Sequence, residues 1–366
     1  MDKICHLTSV HTRYDVRIFE KECKSLSKYY EVSLIVADGL GDEENYSVNI
    51  YDVGKLHGRL NRIFKTTKKV LQRAVELESD IYHFHDPELI PVGLRLKKLG
   101  KIVIFDAHED VPKQILSKPY INIIYLKVMS KLFEIYENSA SKKFDAIITA
   151  TPYIKDKFLK INKNSIDIKN LPILGELSNE MNWEDKKDEI CYIGGIARVR
   201  GIKEVVKSME YTEGVKLNLA GLFGEKDVED EVKSYEGWKK VNELGFLNRN
   251  GIAEILSMSK AGIVTLHPII NYQDALPVKM FEYMIAGIPV ISSDIKLWQE
   301  IVEGNKCGLC VNPFDSEEIS KAIKYIIDHP VEAEKMGKNG KEAVFKKYNW
   351  NSEEKKLVSL YSELIN

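Results

Sequence analysis

The sequence contains no apolar run approaching the roughly 18 residues a membrane span requires. It also lacks a secretory leader pattern, since MDKICHLTSV reads as a first strand. A cytoplasmic protein is therefore expected, bound at most to the inner face of the cell membrane. Cysteine is sparse, at five residues in 366, which leaves no disulfide framework and fits a reducing compartment. Cys307 and Cys310 form a CxxC, but no second pair completes a zinc site and residues 309–311 read as a short buried strand. Charge of one sign is not in excess: 53 Lys and Arg stand against 55 Asp and Glu. The balance hides an asymmetry, with 28 basic and 23 acidic residues up to Gly175 and 25 against 32 beyond it. No nucleic-acid-binding module is apparent, so a nucleic-acid partner is not expected. A G-x-G-x-x-G turn is missing after the first strand, which argues against a dinucleotide cofactor. No D-x-D pair occurs either, so no metal is expected to be needed for holding a diphosphate.

What is present alternates between apolar strands and amphipathic helices. Residues 3–8, 31–37 and 48–53 read as strands, and 16–29 puts Val16, Phe19, Cys23 and Leu26 on one helical face. Further strands are expected at 81–84, 101–107 and 145–150, and a second series starts at 189–193 and continues at 215–220, 241–246, 262–266 and 308–311. The length suits two domains. Asn170-Leu-Pro-Ile marks a candidate boundary, giving a first domain at 1–172, a second at 173–349 and a final helix at 350–366 that folds back on the first. The class is α/β, with two Rossmann-like parallel sheets.

Open sheets of this kind bind ligands at the C-terminal ends of their strands, and several polar groups fall there. HTRYDVRIF follows the first strand with His11, Arg13, Asp15 and Arg17. HFHDPE ends another, with His83 and His85 on the same side of it. A metal there is conceivable, yet no third ligand appears at a recognisable spacing. His108-Glu109-Asp110 closes residues 101–107. In the second half, Gly194-Gly195 and IARVRG stand between a strand and a helix, a pattern suited to a phosphate. Residues 272–294 hold Asp274 and Glu282, which on a helix would lie about 80° apart and about 12 Å along the axis. They read either as a cap and a solvated residue, or as two contacts to one hydroxyl-rich ligand whose phosphates meet the helix N-terminus. Residues 55–73 carry seven Lys and Arg and no acid, as in a basic amphipathic helix that lies on anionic lipid or a solvated surface helix. Residues 115–141 are expected as one long helix, rather apolar for a surface.

Taken together, YDVRIFEKECKSL, HFHDPELIPVGLRLKKLG, FDAHED, YIGGIARVRG, LAG, GFL and DALPVKMFEYMIAGIPVISSD resemble the retaining glycosyltransferases of family four, in particular those of bacterial capsule, exopolysaccharide and lipopolysaccharide synthesis. The resemblance spans nearly the whole chain. It implies a GT-B fold, two Rossmann-like domains facing a cleft, and transfer of a sugar from UDP or GDP to a saccharide or lipid-linked acceptor without a cofactor. It places the family's E-x7-E acids on Asp274, for the transferred sugar, and Glu282, for the ribose. The histidine beside the donor sugar falls on His108, and the diphosphate lysine on Arg200. Gly195 takes the position of a phosphate arginine, for which Arg198 is the expected substitute and Lys203 a less favoured one. Pro277 has no N–H to offer a phosphate, and Lys279 is expected to stand in for that donor. Residues 245–247, including Leu247, meet the nucleobase. Asp15 and Arg17 are candidates for the acceptor side. Two alternatives stay open: a GT-B sugar epimerase or phosphorylase, and a non-catalytic partner subunit.

Overall fold

The computed structural model describes residues 1–117, 122–177, 179 and 181–365. The chain divides into two compact units, Met1–Asn170 with Asn351–Asn366, and Leu171–Trp350. In the first, β1 (Lys3–Leu7), β2 (Glu31–Val36), β3 (Glu43–Asn45), β4 (Val48–Asp52), β5 (Ile81–Phe84), β6 (Ile102–Ala107), β7 (Ala146–Thr149) and β8 (Ser165–Asp167) form one sheet. Its order is β3-β4-β2-β1-β5-β6-β7-β8. All pairs are parallel except the β3–β4 edge. Central strands run almost wholly buried because helices cover both faces, as parallel sheets require. His6 in β1 and His83 in β5 are paired in register, both fully buried.

The second unit holds β9 (Glu189–Ile193), β10 (Lys216–Ala220), β11 (Val241–Gly245), β12 (Ala261–Val264), β13 (Val290–Ser293) and β14 (Gly308–Val311). The order β11-β10-β9-β12-β13-β14 is that of a Rossmann sheet, reversing direction between β9 and β12. Both Rossmann-like units expected from the sequence are therefore present.

Local geometry departs from expectation in places. The first helix begins as a π-helix at Val16–Cys23 and continues as α at Lys24–Leu26. Its i→i+5 bonding stacks residues five apart, so Arg17 and Glu22 both face inward. The single helix expected at 115–141 is two, Val111–Leu116 and Ile123–Ser141, with Asn122 capping the second through Ile124 N; residues 118–121 lie outside the described ones. The short strands β3 and β8 were not expected, because three residues carry too little pattern to read. The final helix, Trp350–Ile365, packs on the first unit: Glu354 meets Lys28 at 2.6 Å, Glu353 accepts from Lys169 N at 2.9 Å, and Tyr361 is buried.

Candidate functional site

In the second unit the polar groups gather at the C-terminal end of β9, where the strand order reverses. Gly194 turns the chain at φ +107, its N–H donating to Ala220 O at 2.8 Å. The next carbonyl, Gly195 O, accepts from Tyr192 Oη at 3.1 Å and Arg200 Nη1 at 3.2 Å. Arg200 ends a 3-10 turn, Arg198–Arg200, and Gly201 opens the helix Ile202–Ser208. Gly201 sits at φ +75, and a Cβ there would lie 2.0 Å from Thr265 O. Gly201→Ala combines left-handed strain with a backbone clash and should cost about 3 kcal/mol. Urea denaturation is the check, with a lowered midpoint at unchanged slope expected.

Lys279 enters from the helix Val278–Ile285 and places its Nζ 4.1 Å from the Tyr192 ring centre. The stem is partly exposed, but Nζ is sealed from solvent and has no hydrogen-bond partner. Burial, with the Arg200 charge next, pulls its pKa down to about 7. A buried amine without a partner beside an arginine, at a glycine turn, is a place prepared for an anion.

One helical turn further on, Glu282 is buried and accepts from Arg249 Nη1 at 2.5 Å, and Arg249 Nη2 also donates to Glu176 at 2.8 Å. Asp274 lies before this helix, in a turn whose Ala275 O accepts from Trp298 Nε1 at 2.8 Å. Pro277 is the residue just before the helix. Asp274 therefore lies outside the helix that carries Glu282, and helical spacing does not relate the two. Leu247 packs partly buried against the core, while Phe246 beside it is exposed.

Two cations are placed elsewhere. Arg198 bonds Asp227 at 2.7 Å and lies within ion-pair distance of Glu225 and Glu231, and Lys203 pairs with Glu231. The helix Lys226–Lys233 supplies these acids apart from Glu225, its N-cap. Arg198, expected to substitute for the missing arginine at Gly195, here turns to the acids of that helix, while Arg200 and Lys279 are the cations beside Gly195 and Gly194.

In the first unit a cavity of about 320 Å³ opens beyond β1, β5 and β6, lined by His11, Asp86, Glu88, His108 and Glu109 among others. His11 spans two acids, Asp15 at 3.2 Å and Asp86 at 3.4 Å. Burial opposes its protonation, but the Asp15 hydrogen bond and the Asp86 charge raise its pKa overall. His108 meets the His11 ring edge-on at 5.4 Å, and its Nδ1 is 3.8 Å from Asp106. Its Nδ1 is buried without a hydrogen bond.

Asp15 caps the first helix, accepting from Arg17 N at 2.8 Å and Ile18 N at 2.9 Å. Burial pushes its pKa up, but His11 and these N–H groups outweigh that and hold it at about 2. Arg17 is a correction. It is buried, clamps Asp106 through Nε at 2.7 Å and Nη2 at 2.8 Å, and donates to Ile168 O at 2.8 Å, so it fixes the floor of the unit and cannot meet an acceptor. Sequence reasoning missed Arg249 and Asp86, whose roles depend on partners distant along the chain. Among the described residues, side chains with metal-ligand spacing are His6, Glu22, His83 and His85.

Residues 175–343 match the family model for glycosyl transferases group 1, and residues 16–168 match that for glycosyltransferase family 4. An uncharacterized glycosyltransferase of Methanocaldococcus jannaschii is 22% identical over 288 residues, 75% of this chain and 70% of its own. Sucrose-phosphate synthase from Thermosynechococcus elongatus has the same fold, with a TM-score of 0.80 at 18% identity over 100% of this chain and 99% of that one. HepE of Anabaena, solved in complex with UDP-glucose, gives 0.76 at 16% identity over 99% of both. Matched by glycosyltransferase models along both halves and built from two Rossmann-like units, the chain belongs to the GT-B glycosyltransferases of family four.

Proposed function

We propose that the protein moves a sugar from a UDP- or GDP-sugar to a saccharide or lipid-linked saccharide acceptor, with retention of anomeric configuration, in the synthesis of a cell-surface polysaccharide. The observation that carries the donor assignment is the pair Arg200 and Lys279 at the Gly194-Gly195 turn, with Glu282 one helical turn beyond Lys279. Arg200 and Lys279 take the diphosphate, Glu282 the ribose, Asp274 the sugar hydroxyls, and residues 245–247 the base. HepE was solved with UDP-glucose, which supports a nucleotide-sugar here.

The chemistry follows from the charges. As the anomeric carbon–oxygen bond breaks, negative charge grows on the diphosphate. Two cations already in place stabilise it without reorganising. The acceptor hydroxyl attacks the same face, and the departing phosphate oxygen takes its proton. In the first unit His108, its ring set against His11, is the proposed catalytic histidine. Thermal shift with UDP, GDP and their sugars, followed by product analysis, tests the reading. Stabilisation by one nucleotide and its sugar supports it. Epimerised free donor or phosphorolysis would replace it with the alternative chemistries, and no shift with any nucleotide would leave the non-catalytic reading.

The lipid-linked acceptor is supported by the first unit's surface. The helix Ile123–Ser141 exposes Ile124, Tyr125, Val128, Met129, Leu132 and Ile135 with Lys127 and Lys131 among them. The basic segment is helical from Arg59, leaving Leu60 and Phe64 exposed. Apolar side chains beside lysines suit an anionic lipid surface. Binding to vesicles containing anionic lipid is expected, weakened by high salt. The double variant Ile124→Glu, Leu132→Glu should bind them at least about tenfold less in co-sedimentation. Equal binding by the variant would assign the surface elsewhere.

A further inference from the structure

We propose that His6, Glu22, His83 and His85 bind a divalent transition-metal ion of the zinc class inside the first unit, as a structural site apart from the transfer chemistry. The four side chains come from β1, the first helix, β5 and the residue just beyond β5, and each is 0% exposed. One ligand atom from each lies within 4.8 Å of all the others.

The carboxylate carries the argument. Glu22 Oε2 stands 3.7 Å from His83 Nδ1, 3.9 Å from His85 Nε2 and 4.0 Å from His6 Nδ1. These distances are too long for hydrogen bonds, and neither Glu22 oxygen has a hydrogen-bond partner. An oxygen nearly equidistant from three ring nitrogens is instead placed as one vertex around a common centre. With zinc–ligand distances of about 2.0–2.1 Å, the edges of a tetrahedron are about 3.3 Å, so ligand atoms that stand within 4.8 Å of one another would draw together by at most about 1.5 Å, within the reach of side-chain rotation. His6 Nδ1 and His85 Nε2, now 2.9 Å apart, would open slightly.

Charge and outer contacts agree. Arg17 Nε reaches Glu22 Oε1 only at 3.3 Å, being clamped on Asp106. A buried carboxylate so poorly compensated calls for a further cation. His85 Nδ1 is 3.0 Å from Asp106 Oδ2, the carboxylate–histidine contact that directs the opposite nitrogen to a metal. Tyr361 Oη bonds His83 Nδ1 at 2.8 Å and lies 3.4 Å from His6 Nε2. On metal binding it would leave the first nitrogen and accept from the second. Three imidazoles and one carboxylate select zinc-like ions over magnesium or calcium, and four protein ligands leave no open position for catalysis. The ion would tie the first helix to the two central strands and, through His85 and Asp106, hold the floor beneath His108.

The test uses the full chain expressed without a histidine tag in zinc-supplemented medium, purified and measured by elemental analysis. About one zinc per chain is expected, surviving dialysis against EDTA, with Tm falling by roughly 5–10 °C when the protein is refolded under chelation. His83→Gln and Glu22→Gln should each lose the zinc, while the surface control His329→Gln keeps it. Should the core variants fail to fold, cobalt-loaded wild type must show the intense visible absorption of a tetrahedral site. Sub-stoichiometric zinc with unchanged Tm, zinc retained by a folded Glu22→Gln variant, or an octahedral cobalt spectrum would each overturn the proposal.

Discussion

Glu282→Ala should weaken nucleotide binding by about 10²- to 10⁴-fold. If it accepts from two ribose hydroxyls, as proposed, this buried carboxylate would make two charge-assisted bonds of about 1.5–3 kcal/mol each, and 1.4 kcal/mol is a factor of ten. Those bonds are the same before and during transfer, so the loss belongs in KM while kcat at saturating donor changes little. Arg249 now holds Glu282 through Oε1 and fixes its orientation. It retains Glu176 in the variant, so the helix Arg249–Met258 keeps an anchor. Arg249→Met should therefore show a milder defect of about tenfold, by loosening Glu282 rather than removing it. Calorimetric titration with the preferred nucleotide measures both, and an unchanged Kd for Glu282→Ala would remove Glu282 from the ribose.

Lys279 predicts a pH signature that few other residues here can produce. Burial holds its amine at about 7, and a diphosphate would raise that value by supplying a counter-charge. Below pH 7 the amine is already charged, and affinity is flat. Above it, binding must take up a proton, so Kd rises up to tenfold per pH unit until the bound-state pKa is reached. Stability of the unligated protein runs the opposite way. Against an ordinary value of 10.5, the folded state binds fewer protons than the unfolded one between about 7 and 10.5, so stability increases with pH across that window. Calorimetry at pH 8 in buffers of different ionisation enthalpy should report close to one proton taken up per diphosphate. Lys279→Met should abolish the uptake and lower kcat about 10²-fold or more, since leaving-group charge is largest in the transition state. Proton uptake unaltered in the variant would shift the effect to another group.

Much of this was readable from local pattern. Strand runs such as residues 189–193 and the Gly194-Gly195 turn follow from periodicity and from the chemistry of a sheet's C-terminal edge, whereas Arg200 and Glu282 were singled out by the resemblance to family four. What escaped depends on distant partners. Arg198 looked available until the helix Lys226–Lys233 brought Asp227 and Glu231 against it. Arg17 belonged to a polar loop by sequence, yet π-helical pitch turns it into the core toward Asp106. His83 and His85 offered two ligands in one strand motif, but His6 and Glu22 come from β1 and the first helix, and only the sheet register unites them. Asp274 was read with a helical spacing that stops at Pro277.

A nucleotide diphosphate held by Arg200 and Lys279 in the second unit requires both cations for binding. Titration of the wild-type protein with UDP and with GDP, alongside the double variant Arg200→Met, Lys279→Met, tests this requirement most directly. Saturable binding of one of the two nucleotides by the wild type is expected, with at least about 10³-fold weaker binding by the folded variant. Equal affinity in both proteins, or no binding of either nucleotide by the wild type, would contradict it.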